Sequence, residues 1–325
     1  MQRREFISLL GGATVWPLAA RAQQSAMLVV GFLISSSLEA YGRDVNAFRE
    51  ALREAGYVDG KNIAIEYLIA DHQYDRLPSM AADFVRRKVT LIATASTPAT
   101  RAAKAATTTI PIIFTIAGDP VKLGLVQSLS RPGNNLTGVT NQNVEIAPKR
   151  LELLHEVLPA KKVALLVNPA NRNTETLVKE EYAAAGRSLG VELHILMASS
   201  ESEIDAAIPA VSSVGARGLV IVADPFFNSR SKQLAALALR HSVPAVYQYR
   251  EFTAAGGLMS YGASRAAAYR LSGIYAGRVL KGEKPADLPV QQSAKVELII
   301  NLITAKALGI TFPLTLLGRA DEVIE

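Results

Sequence analysis

The segment "TIPIIFTI" at 109–116 is answered by "SVPAVYQY" at 242–249, and the stretches leading to each follow the same order. In both halves short apolar runs alternate with amphipathic stretches of helical spacing, a pattern that specifies strands covered on both faces by helices. In the first half, 28–34 is a strand, and a helix carrying Val45, Phe48, Leu52 and Ala55 stops at Gly56. Ile63 and Ile65 mark a second strand, Leu77, Met80, Ala81, Phe84 and Val85 a second helix, and 89–95 a third strand. In the second half the strands are expected at 162–167, 191–197 and 218–223, with helices at 174–189, 201–214 and 231–241. The expected fold class is therefore α/β, with two Rossmann-like lobes of parallel strands facing a cleft. Further elements at 258–261, 264–280 and 296–301 follow the second half and imply hinge crossings back to the first lobe and out again. The expected division is 27–140 plus 251–287 for lobe 1 and 141–250 plus 288–325 for lobe 2.

The first 22 residues stand outside this pattern. Arg3 and Arg4 precede an apolar stretch from Phe6 to Ala20, and Ala20-Arg21-Ala22 has the small-x-small form of a cleavage site. The expectation is an export signal cut after Ala22, with a periplasmic protein as the product. "RREFI" is similar to a twin-arginine motif, except that Gln2 stands where Ser or Thr is usual. Cleavage takes three arginines and one glutamate with it and lowers the formal charge from +6 to +4. No block of Lys and Arg suited to nucleic acid remains. The chain has no cysteine, which excludes disulfides, thiolate metal sites and a lipid-anchored cysteine after the signal.

Enzyme signatures are equally sparse. There is no G-x-S-x-G elbow, the histidines His72, His155, His194 and His241 are scattered, and no His/Glu pair has zinc-ligand spacing. "GRVLKGEK" at 277–284 has P-loop glycine spacing but carries Glu283 where lysine is required. No catalytic residue, metal ligand or cofactor is assigned.

In open α/β sheets, ligands lie beyond the carboxyl ends of the strands, so the strand-to-helix loops nominate the site. In the first lobe these supply Ser35, Ser36, Ser96, Thr97, Ala117 and Asp119; in the second, Asn168, Asn171, Thr174, Asp224 and Phe226. Thr97 before Pro98 is the expected cap of a helix whose positive end offers an anion site, with Ser96 and Thr97 as hydroxyl donors to a carboxylate. Asp119 and Asp224 are the counter-charges for an amino group, and Tyr247, Tyr249 and Tyr261, with Phe226 and Phe227, the aromatic faces for a flat apolar ligand. Each also has a plainer role as helix cap, turn former or core residue. The basic runs 86–88 and 149–150 are expected to be solvated.

The phrases "REALREAGYVDGKNIAIEY", "PIIFTIAGDPVKLGLVQSLSRPGNNLTGVT" and "INLITAKALGITFPLTLLGRADEVIE" span the chain after the signal. Together they resemble the substrate-binding proteins of bacterial ABC transporters, in the tryptophan/tyrosine-type branch. The resemblance implies a type I periplasmic-binding-protein fold with three crossings between lobes, and a small ligand such as an aromatic or branched amino acid in the cleft. It also implies permease subunits as partners and a monomeric protein. A ligand sensor that signals to a membrane receptor would share the fold and is the alternative.

Overall fold

The computed structural model describes residues 27–171, 174, 177–293 and 296–325; the expected export signal lies outside them. Two sheets organise the chain. The first contains β1 (Leu28–Ile34), β2 (Ile63–Ile69), β3 (Leu91–Ala95), β4 (Ile112–Ile116) and β5 (Leu136–Thr140). The second contains β6 (Lys162–Val167), β7 (Glu192–Met197), β8 (Leu219–Ile221), β9 (Ala245–Tyr247) and β10 (Met259–Ala263). Late in the chain, β11 (Gln291–Gln292) joins the first sheet, while β12 (Val296–Asn301) and β13 (Glu322–Ile324) join the second.

The spatial orders are 11-5-4-3-1-2 and 13-12-10-9-8-6-7. All pairs are parallel except β10 with β12. The central strands are buried on both faces, which explains why they appear as unbroken apolar runs.

The pairing of β10 with β9 and β12 corrects the expected lobe division. Residues 259–263 belong to the second sheet, and 291–292 to the first. The chain therefore crosses at 141–146, at Ser264 and again between β11 and β12.

Arg150, expected in solvent, is fully buried at the first crossing. Its Nε donates to the Tyr261 carbonyl at 2.8 Å and its Nη2 to the Asn143 carbonyl at 2.7 Å, tying the crossing to β10. The other basic run is paired on the surface, Arg86 with Asp83 and Arg87 with Glu66.

Helix α1 (Leu38–Glu54) and the late helix Arg265–Leu280 cover one face of the first sheet. α2 (Leu77–Arg86) and α3 (Thr97–Ala106) cover the other. Glycine permits the close packing of α1 on the late helix: a Cβ on Gly273 would lie 2.4 Å from the Phe48 carbonyl oxygen. Among the described residues no helix is long and apolar enough to cross a membrane.

Candidate ligand-binding cleft

The carboxyl ends of both sheets meet across a cleft with about 680 Å³ of empty space counting its open mouth. Ser96, Thr97 and Ala117 line it from the loops after β3 and β4, and Asn171, Thr174 and Asp224 from the loops after β6 and β8. Six of the predicted site residues thus come together there.

The cap of α3 differs by one residue from expectation. Ser96, not Thr97, is the N-cap, and its Oγ accepts from Ala99 N–H at 3.4 Å. The reason is a backbone turn that the residue types do not announce: Ser96 has φ +119°, a conformation normally left to glycine. Thr97 becomes the first helical residue, and neither its N–H nor its Oγ1 has a protein partner among the described residues. This end of α3 therefore retains an open donor pair beside the helix dipole.

Asp224 is 1% exposed and closely surrounded. It accepts from Asn168 Nδ2 at 2.9 Å, Asn171 Nδ2 at 2.7 Å and its own helix's Phe226 N–H at 2.8 Å. Tyr74 Oη donates to both of its oxygens, at 3.3 and 3.4 Å, from the opposite lobe. Burial raises its pKa while the four donors hold it down. The carboxylate's acceptor capacity is thus taken up by the protein. Asp224 holds Asn171 and, through Tyr74, joins the two lobes.

The remaining predicted residues lie elsewhere. Tyr247 is in the second core, stacked on Phe252 at 4.8 Å between ring centres, because both faces of the short β9 are covered. Phe226 belongs to the same core, and Tyr261 packs against the other face of that sheet. Ser35 Oγ donates to the Ala95 carbonyl at 3.4 Å, and Asn168 holds Asp224. Asp119 accepts from the N–H groups of Val121 and Lys122, the plainer capping role. Ser36 lies 3.4 Å from His72 Nε2, which also meets Ser229 Oγ of the opposite lobe at 3.1 Å.

The aromatic wall of the cleft comes from Tyr249, one of the expected rings, and from Tyr41 and Tyr269, which sequence reasoning left out of the site, as it did the Arg265 among them. Tyr41 and Tyr269 meet edge to face at 5.9 Å. The Arg265 guanidinium lies 4.8 Å from the centre of the Tyr41 ring and 5.3 Å from that of Tyr249. Asn141, in the first crossing, donates to Tyr249 Oη at 3.1 Å. The hinge itself therefore contributes to the wall.

The profile of the family described as "ABC transporter substrate binding protein" matches residues 30–324. The chain belongs to that family.

A relative called "Tyrosine-binding protein", from Clostridioides difficile strain R20291, is 34% identical over 265 residues, covering 80% of this chain and 75% of the relative. Two solved members of similar identity bracket the geometry. An ABC domain from Streptococcus pneumoniae in complex with L-Trp is 26% identical, covers 92% of this chain and all of its own, and superposes with a TM-score of 0.82. A ligand-free, open substrate-binding protein from Clostridium difficile is 27% identical, covers 91% of this chain and 99% of its own, and reaches 0.63. In this chain Tyr74 and His72 make hydrogen bonds to the opposite lobe across the cleft. This substrate-binding protein has the type I periplasmic-binding fold.

Proposed function

We propose that this substrate-binding protein captures an aromatic α-amino acid between its lobes and delivers it to the permease of an ABC importer. The single observation that carries the reading is a cleft whose walls come from both lobes and differ in chemistry. One end offers the free Thr97 donors and the α3 dipole to a carboxylate. The wall around Asp224 and Asn171 favours an ammonium, and the tyrosines supply faces for a ring. The tyrosine-binding relative and the L-Trp complex support the same ligand class.

The mechanism is capture and closure, with no bond made or broken. A ligand that touches both walls favours the closed arrangement by its differential affinity for it. Delivery follows when a partner favours the open one. The twin arginines, apolar stretch and Ala20-Arg21-Ala22 site support export and cleavage after Ala22, which would place a monomeric protein in the periplasm.

The test is native mass spectrometry of protein purified from the periplasm, with identification of any small molecule released on denaturation. Release of an aromatic amino acid is expected, together with a mass lacking the first 22 residues. An empty protein with no thermal shift against aromatic amino acids would overturn the reading.

A further inference from the structure

The charge in the cleft that carboxylate and ammonium leave unanswered belongs to Arg265, the first residue of the late helix. Its side chain is 6% exposed. Its Nη2 donates to the Asp44 carboxylate and, at 3.3 Å, to the Ala40 carbonyl. Its Nε and Nη1 have no acceptor among the described residues, yet the residue lines the cleft between Tyr41 and Tyr249. Guanidinium N–H groups left without acceptors in a site that closes over its ligand are costly, so the ligand is expected to supply one.

The chemical class of that acceptor follows from charge. Asp44 already balances Arg265, and a second full anion there would lie beside a buried carboxylate. A neutral oxygen meets no such repulsion. The rings of Tyr41 and Tyr249 flank the guanidinium and Tyr269 lines the same wall, an environment that suits an oxygen carried on a flat ring.

We propose that Arg265 is a specificity residue that donates to a neutral oxygen at the distal end of the ligand's ring, selecting 4-hydroxyphenyl amino acids over phenyl and indole ones. Phenyl offers no acceptor, and an indole N–H would turn a donor toward donors. The assignment rests on the amino-acid reading of the cleft.

The experiment is titration calorimetry of the signal-free chain with L-tyrosine, L-phenylalanine and L-tryptophan. L-Tyrosine is expected to bind at least about tenfold more tightly than either of the others. In the double variant D44N/R265Q, which removes both charges together, the preference should shrink below about threefold. Equal or tighter binding of phenylalanine or tryptophan to the unchanged chain overturns the assignment alone, as does a folded double variant that keeps the preference. Failure of all three to bind overturns the amino-acid reading and this assignment with it. If the variant does not fold, the ranking on the unchanged chain decides.

Discussion

Replacing Tyr74 with phenylalanine removes one atom that matters only when the lobes are together. The hydroxyl donates to both oxygens of Asp224 across the cleft at 3.3 and 3.4 Å, while the ring packs in its own lobe against the core of α2 and α3. A hydrogen bond to a charged group contributes about 1.5 to 3 kcal/mol, and the long distances here place this one near the lower figure. Asp224 keeps three other donors, so no naked carboxylate is left behind. About 1.5 kcal/mol removed from the closed state alone lowers ligand affinity about tenfold, because binding is coupled to closure. Calorimetry against L-tyrosine should show that loss, with the ligand-free protein melting within a degree or two of its parent. Unchanged affinity would refute the latch, and a ligand-free melting temperature that falls with affinity would show Tyr74 to be an ordinary core residue.

Thr97→Val should lower affinity by about tenfold with little change in melting, since Thr97 Oγ1 has no partner to lose among the described residues; an unchanged Kd would remove it from the carboxylate site. Gly273→Ala should destabilise the fold by about 1 to 3 kcal/mol in a denaturant titration, because the added methyl meets the Phe48 carbonyl oxygen at 2.4 Å and Ala51 Cβ at 2.7 Å. His72, between the lobes, is held down to about 4 from 6.5, chiefly by burial and then by Arg230, with Asp71 and Glu201 opposing. The closed form therefore binds fewer protons in that window than one with the ring in water, and affinity should weaken as pH falls from 6.5 toward 4. His72→Gln should flatten the profile; a parent protein whose affinity is level over this range would contradict the assignment.

Most of the fold was legible in the sequence because strands buried on both faces leave unbroken apolar runs and helices end on glycines such as Gly190, with φ +65°. The lobe division was not, since the place of β10 depends on its partners β9 and β12, and pairing between distant segments leaves no local mark. The loops after β3, β6 and β8 revealed half of the site. Tyr41 and Arg265 stayed hidden for a physical reason. On a helix, a tyrosine at apolar spacing and an arginine in the first turn look like core and surface, and only the packing of two helices from opposite ends of the chain brings both to the cleft. Tyr247 shows the reverse error. In a three-residue strand covered on both sides, alternation cannot distinguish a ring facing a cleft from one facing a core.

The interleaving of the two sheets governs the order in which a nascent chain can finish folding. The first lobe receives its last strand, β11, only at residue 292, and the helix that covers Tyr41, Val45 and Phe48 only after the whole of β6 to β10 has been synthesised. A chain emerging from the ribosome therefore lacks that helix throughout the synthesis of residues 141–264. Neither lobe can be obtained by cutting the gene once.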